Sequence, residues 1–148
     1  MDSIDDPYRF SSATGDVDAE QVHRWLSEQS YWARGRTRAQ QDAAIAASRN
    51  YGLYEVATGR QVACARVVTD GATFAWLCDV FVDPAHRGRS LGKRLVAGVL
   101  DDLGGLPLTR VLLATEDAHG LYEQFGFTGL ERPSMWMVRR PVATPPRG

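Results

Sequence analysis

The sequence has few of the residues that build disulfide frameworks and metal sites. Its two cysteines, Cys64 and Cys78, stand alone in separate strand-like apolar runs, and no C-x-x-C pair occurs. Neither a disulfide framework nor a zinc ribbon is indicated by this pattern. The three histidines show no H-x-x-x-H spacing, which argues against a metal site on a helix. We expect two buried, reduced thiols and no metal.

Long apolar runs and a surplus of positive charge are also missing. No run of about 18 uncharged apolar residues occurs, so no membrane-spanning helix is expected. The chain begins with acidic residues rather than with the apolar segment of a secretory leader. The formal net charge of −1 argues against a general nucleic-acid binder, which carries a basic surplus. We therefore expect a cytoplasmic protein with neither a membrane nor a nucleic acid as its partner.

Apolar periodicity and turn residues predict one α+β domain over residues 1–148, with a frayed tail at 141–148. The sheet is predicted to be mixed and mostly antiparallel, with six or seven strands and about four helices on both faces. The predicted helices follow the N-caps Asp18, Thr37 and Asp117, and a further helix covers 90–103. The predicted strands are 8–12, 51–57, 61–69, 73–82, 108–115, 127–130 and 135–139.

The most informative segment lies where the apolar run 73–82 meets a glycine-containing basic turn that opens a helix. Five basic side chains crowd this turn, namely His86, Arg87, Arg89, Lys93 and Arg94. The unpaired N–H groups and the positive dipole end of a helix start favour anions and disfavour cations. Asp101 and Asp102, near the far end of the helix, also oppose its dipole. We infer that a polyanionic ligand supplies negative charge at the helix start.

The turn does not match the common nucleotide signatures. A P-loop has four residues between its glycines and Ser or Thr after the lysine. Here three residues separate Gly88 from Gly92, and Arg94 follows Lys93. The dinucleotide pattern G-x-G-x-x-G is also absent, since position 90 is Ser90. One alternative stays open, in which the turn is a solvated basic surface and its glycines serve only the loop and helix packing.

Two segments resemble the Gcn5-related N-acetyltransferase (GNAT) family. The segment from Arg87 to Gly92 is similar to the signature Q/R-x-x-G-x-G/A, although Ser90 stands where the family usually has glycine. The segment from Asp117 to Phe127 looks like a later family segment, with a tyrosine followed by a G-F turn. The resemblance implies the acyl-CoA N-acyltransferase fold, acetyl-CoA as donor, and a small-molecule or peptide amine as acceptor. Dimers are common for this fold, but nothing in the sequence isolates an interface.

The resemblance also implies where the cofactor binds. Backbone N–H groups of the basic turn would contact the pyrophosphate, and the preceding strand would pair with the pantetheine arm where two central strands splay. The residues implied are Val80, Phe81, Val82, Arg87, Gly88, Arg89, Ser90, Leu91, Gly92 and Lys93. Backbone donors near Val82 would also polarise the thioester carbonyl.

Two residues are predicted to move protons. Tyr122, a phenol with a pKa of about 10, stays protonated at neutral pH and can donate to the departing thiolate. Asp79 lies in an apolar strand, where burial tends to raise a carboxyl pKa toward that of a useful base. For each, the alternative is a purely local hydrogen bond. Glu116 and His119 are weaker candidates.

A connector with two aromatics and two arginines lies between the first two helices, where the family commonly builds one wall of the acceptor site. Its candidate residues are Tyr31, Trp32, Arg34 and Arg36. They favour an acceptor that carries a carboxylate or an aromatic group, and the alternative is an exposed loop. The predicted reaction is direct transfer in a ternary complex. The rival functions are a non-catalytic coenzyme A sensor and a nucleic-acid-binding protein.

Overall fold

The computed structural model describes residues 5–141. The chain divides into two compact units, and the boundary in the sequence lies between Ala114 and Thr115. The first unit contains β1 (Tyr8–Ser11), α1 (Ala19–Gln29), α2 (Arg38–Ala46), β2 (Arg49–Glu55), β3 (Gln61–Thr69), β4 (Phe74–Val82), α3 (Leu91–Leu103) and β5 (Arg110–Leu112). The second contains α4 (His119–Glu123) and a 3-10 turn at Pro133–Met135. Most of the tail predicted at 141–148 lies outside the described residues.

The sheet has the order β1-β2-β3-β4-β5. Its first four strands are antiparallel, and β5 pairs with β4 in parallel. The mixed, mostly antiparallel architecture is confirmed, but the described residues form five strands rather than six or seven. The strands predicted at 127–130 and 135–139 are absent from this part of the chain. A 3-10 turn at Pro133–Met135, between the two predicted strands, includes the first residue of the second one.

Helices cover both faces of the sheet, as predicted. Side chains alternate between the two faces along a strand. Cys64 on β3 and Phe81 on β4 point to the face that packs against α1 and α2. Tyr51 on β2 points to the other face, where its hydroxyl donates to Asp102 of α3 at 2.6 Å. No helix within residues 5–141 is long and apolar enough to cross a membrane.

Side-chain caps start two of the helices where the sequence predicts them. Asp18 accepts a hydrogen bond from the Gln21 amide at 3.1 Å. Thr37 and Gln40 form a reciprocal capping box. The predicted cap at Asp117 is wrong, because α4 begins after Ala118 and has no side-chain cap. The Thr115 hydroxyl accepts from the Ala118 amide instead, at 3.0 Å.

The capping box at Thr37 should be measurable as stability. We expect Thr37→Ala to lower the free energy of unfolding by about 1 kcal/mol, because the Gln40 amide loses its acceptor. Urea titration followed by circular dichroism measures this change. Thr37→Ser keeps a hydroxyl at the same position and should restore most of the loss. Equal stability of the alanine variant and the parent protein would contradict the assignment.

Candidate active site

A β-bulge near the end of β4 shapes the candidate site. The register between β3 and β4 shifts by one residue between Cys64 and Arg66. Asp79 lies at this shift with φ of 53°, a backbone conformation that non-glycine residues rarely adopt. A bulge bends its strand and turns side chains into new directions. Here it turns the buried Asp79 away from the regular alternation of β4.

After Trp76, before the bulge, the edge of β4 that faces β5 becomes open. β4 and β5 pair only over Phe74–Trp76 and Arg110–Leu112, and within the described residues β4 continues to Val82 with no further partner on that side. The splay expected from the family resemblance stays a prediction, since β5 ends at Leu112. The Asp83 amide donates to the Val62 carbonyl on β3 at 2.8 Å. Because N–H directions alternate along a strand, the Val82 amide faces the open edge.

A loop with two left-handed residues joins β4 to α3. Gly88 has φ of 82° and Ser90 has φ of 58°. Ser90 immediately precedes α3 and makes no side-chain cap, and the first turn of α3 contains no acidic residue. The left-handed conformation gives a physical reason for the glycine that the family usually has at position 90. The first N–H groups of α3 therefore have no side-chain acceptor from the cap.

The basic side chains of this loop differ in how they are paired. Among the described residues, Arg87, Arg89 and Lys93 form no ion pair with a carboxylate, and all three are exposed. The Arg87 guanidinium donates to the Val82 carbonyl at 3.1 Å and lies over the Phe81 ring. Arg94 differs, because Asp6 accepts from it at 2.7 Å. For Arg94, therefore, a carboxylate of the chain itself supplies the negative charge that the sequence analysis assigned to a ligand.

The Asp79 carboxylate accepts hydrogen bonds from three side chains, although it is 4% exposed. The partners and distances are Trp32 Nε1 at 2.9 Å, Arg36 Nη1 at 2.7 Å and Arg66 Nε at 2.9 Å. Burial by itself would raise the pKa of Asp79, but the hydrogen bonds and charges of the two arginines outweigh it and hold the pKa below 3.8. The expectation of a net raised pKa is therefore wrong, because it left out the two arginines, and the predicted base role loses its physical reason.

Two further side chains fix the arginines. Gln41 Oε1 accepts from Arg36 Nη1, and Ser48 Oγ accepts from Arg66 Nη1, each at 3.0 Å. Sequence analysis missed Arg66, although it is the one charged residue within β3, an otherwise largely apolar strand. A lone charge in a buried strand requires a partner, and this signal could have identified it.

The structure brings two of the four predicted acceptor residues to Asp79. Trp32 and Arg36 donate to its carboxylate. Tyr31 and Arg34 are exposed, and the Tyr31 ring stands edge-on to Trp32 at 5.0 Å between centroids. The connector is therefore partly anchored and partly open to solvent.

Tyr122 lies in the second unit, on α4. Its side chain is buried, and its ring stands edge-on to Phe127 at 5.8 Å between centroids. Its role as a general acid stays a prediction. In the described ranges, no three His, Cys, Asp or Glu side chains cluster in a way that could hold a metal ion.

The ion pairs of Asp79 should dominate the acid stability of the first unit. We expect Asp79→Asn to lower the free energy of unfolding by roughly 3–5 kcal/mol, because two partly buried arginines lose their counter-charge. A lowered carboxyl pKa stabilises the fold above about pH 4 and loses this effect as the pH falls through the folded-state value. Thermal unfolding from pH 7 to pH 2 should show this acid loss in the parent protein and less of it in the variant.

Asp42→Asn is the matched control, since Asp42 forms an exposed ion pair with Arg38. It should change the free energy of unfolding by less than about 0.5 kcal/mol. Equal effects of the two asparagine substitutions would contradict the special role of the buried carboxylate.

The left-handed backbone at Ser90 leads to a second prediction. Ser90→Gly should raise the free energy of unfolding by about 0.5–1 kcal/mol, because glycine adopts a positive φ without steric cost. Ser90→Ala should leave stability nearly unchanged, since the hydroxyl makes no cap. Chemical denaturation of the three proteins measures the difference. Loss of stability in the glycine variant would show that the serine side chain contributes to the loop.

The sequence and the fold were compared with those of known proteins. The family model described as Acetyltransferase (GNAT) family matches residues 19–127. A crystal structure of the GNAT-family protein xcc2953 from Xanthomonas campestris, assigned as an acetyltransferase, is 42% identical, with a TM-score of 0.85 over 90% of this chain and 93% of that one. FG08082 of Gibberella zeae, also assigned as an acetyltransferase, is 34% identical over 61% of this chain. The chain spans 55% of that relative's length.

A more distant structure shares the fold. Rv2747 of Mycobacterium tuberculosis, solved in complex with CoA, is 22% identical, with a TM-score of 0.66 over 83% of this chain and 73% of that one. The family match covers most of the described residues, including the bulged strand, the basic loop and the start of α3. The chain belongs to the GNAT acetyltransferase family.

Proposed function

We propose that this protein transfers the acetyl group of acetyl-CoA to a primary amine of a small molecule or peptide, directly in a ternary complex. One observation carries the proposal. The loop after the open edge of β4 and the first turn of α3 contain three exposed cations, Arg87, Arg89 and Lys93, that have no carboxylate partner in the described part of the chain. An elongated ligand with a polyanionic end fits such a surface.

Each part of this surface suits one part of the cofactor. The uncapped N–H groups at the start of α3 and the three exposed cations would bind the diphosphate. The open edge from Val80 to Val82 would pair with the amides of the pantetheine arm, as an added strand does. The Val82 amide, which faces this edge, would donate to the thioester oxygen. When bound, acetyl-CoA supplies an activated acyl group with a thiolate leaving group.

The proposed acetyl transfer requires that the amine loses a proton and that the departing thiolate gains one. The amine nitrogen attacks the thioester carbon, a C–N bond forms, the C–S bond breaks, and the thiolate takes a proton. We assign that proton to Tyr122, whose phenol is a stronger acid than bulk water, and solvent then reprotonates the phenolate. Asp79 is a poor base, because its pKa is held low. The amine is therefore proposed to react as the neutral form and to pass its proton to solvent.

The connector between α1 and α2 supports an acceptor with a negative or aromatic group. Arg36 and Arg66 share the single carboxylate of Asp79, so this cluster retains one net positive charge. Trp32 and Tyr31 remain 39% and 48% exposed beside it. A carboxylate on the acceptor would complement the cluster, and an aromatic ring would stack on the exposed pair.

The decisive experiment measures thiol release from acetyl-CoA with a broad panel of amines, amino acids and peptides. We expect release with at least one acceptor. Tyr122→Phe should reduce kcat roughly 10²- to 10⁴-fold and leave coenzyme A affinity unchanged, because only the proton donor is removed. Tyr54→Phe is the matched control, since it removes a buried phenol of the sheet and should leave kcat unchanged.

Coenzyme A binding without thiol release from any acceptor would instead support the non-catalytic sensor. In that case Tyr122→Phe would have no effect on any measured property of the cofactor complex. Absence of coenzyme A binding at millimolar concentration, by thermal shift and calorimetry, would contradict the proposed function as a whole.

A further inference from the structure

The N-terminal strand contacts the basic loop through a single phenol. The Tyr8 side chain on β1 is 5% exposed, and its hydroxyl accepts a hydrogen bond from Arg89 Nη1 at 2.7 Å. The same hydroxyl lies 2.7 Å from Nδ1 of His86, and the two rings stand edge-on. Tyr8 thus contacts two residues of the loop, His86 and Arg89, although 81 positions separate it from Arg89 in the sequence.

Hydrogen-bonding rules make this contact directional. Arginine can only donate, so the Tyr8 oxygen accepts from Arg89. The Tyr8 proton is then available to Nδ1 of His86 in the tautomer that carries its ring proton on Nε2. A phenylalanine at position 8 would fill the same space but would leave both loop residues without this partner.

Tyr8 is itself held firmly. Its backbone pairs with Glu55 in β2. Its carbonyl accepts from Arg94 Nη2 at 2.9 Å, and Arg94 also donates to Asp6. Arg94 belongs to α3, the helix that the loop opens. The Tyr8 hydroxyl is therefore placed by the same helix whose N-terminus bounds the loop.

We propose that Tyr8 is a positioning residue of the coenzyme A site, and that its hydroxyl orders Arg89 for contact with the diphosphate. An exposed arginine loses much rotamer freedom when it binds a ligand, and a partner that orders it beforehand reduces this cost. The inference rests on the proposed function, because it assumes that the loop binds coenzyme A. It adds a residue that lies outside the loop and outside the signature of the basic turn.

A double-mutant cycle tests the proposal with coenzyme A as the probe. Calorimetry would give the Kd for the parent protein, Tyr8→Phe, Arg89→Ala and the double variant. We expect Tyr8→Phe to raise the Kd about 5- to 10-fold, which lies within the range for the net contribution of a typical intramolecular hydrogen bond. Because Tyr8 acts through Arg89, adding Tyr8→Phe to Arg89→Ala should change the Kd less than twofold.

Tyr54→Phe is the matched control for loss of a buried phenol. Tyr54 lies on β2, is 3% exposed, and its hydroxyl has no hydrogen-bond partner among the described residues. This variant should bind coenzyme A as the parent does. Pantetheine, which lacks the diphosphate, provides a second readout by NMR titration. Its affinity should be equal in the parent protein and Tyr8→Phe, whereas a general loosening of the fold would weaken both ligands.

The outcomes separate this proposal from the function on which it rests. If the parent protein and the Tyr8→Phe variant bind coenzyme A with the same Kd, the positioning role is wrong, whereas the proposed cofactor site is still supported. The role is also wrong if Tyr8→Phe weakens binding equally with and without Arg89. If the parent protein itself does not bind coenzyme A, the proposed function fails, and the role of Tyr8 with it.

Discussion

The buried carboxylate of Asp79 is the interaction on which the candidate site depends. It joins the connector between α1 and α2 to β3 and β4, because Trp32, Arg36 and Arg66 all donate to it. The left-handed backbone at this position has a conformational cost of order 1 kcal/mol. Three hydrogen bonds, two of them from cations, offset that cost and keep the bulge in place. The pairing of β4 with β5 ends at Trp76, a few residues before Asp79.

Ion pairs and hydrogen bonds within the chain satisfy some of the charges on α3. Arg94 is neutralised by Asp6, and Asp102, at the far end of α3, accepts from Arg49 and Tyr51. The charges that oppose the helix dipole are thus partly satisfied within the chain. Within the basic loop and the first turn of α3, the arginine and lysine residues without a carboxylate partner in the described part of the chain are the exposed Arg87, Arg89 and Lys93. Fewer cations are therefore available to a polyanion than the composition of the turn suggests, and all of them lie between Arg87 and Lys93.

Local patterns predicted the elements whose formation depends on neighbours in sequence. The strand 61–69 has the predicted bounds, and the Thr37 capping box needs only residues three apart. Predictions failed where the property depends on residues that are distant in the sequence. The pKa of Asp79 depends on arginines 43 and 13 positions away, and periodicity contains no information on such pairs. The closing strands were predicted from apolar runs alone, which do not specify a pairing partner.

The low pKa of Asp79 has a consequence for the chemistry of acetyl transfer. A general base works best when its pKa lies near the working pH, and a carboxylate held by two arginines is far from that condition. Under the proposed function, such an anchor would contribute mainly by placing the amine and the thioester beside the backbone donor of Val82. The rate would then depend on the fraction of acceptor that is unprotonated, so acceptors of low amine pKa should be favoured at neutral pH. Position and charge distribution, rather than a base within β4, would determine which amines react.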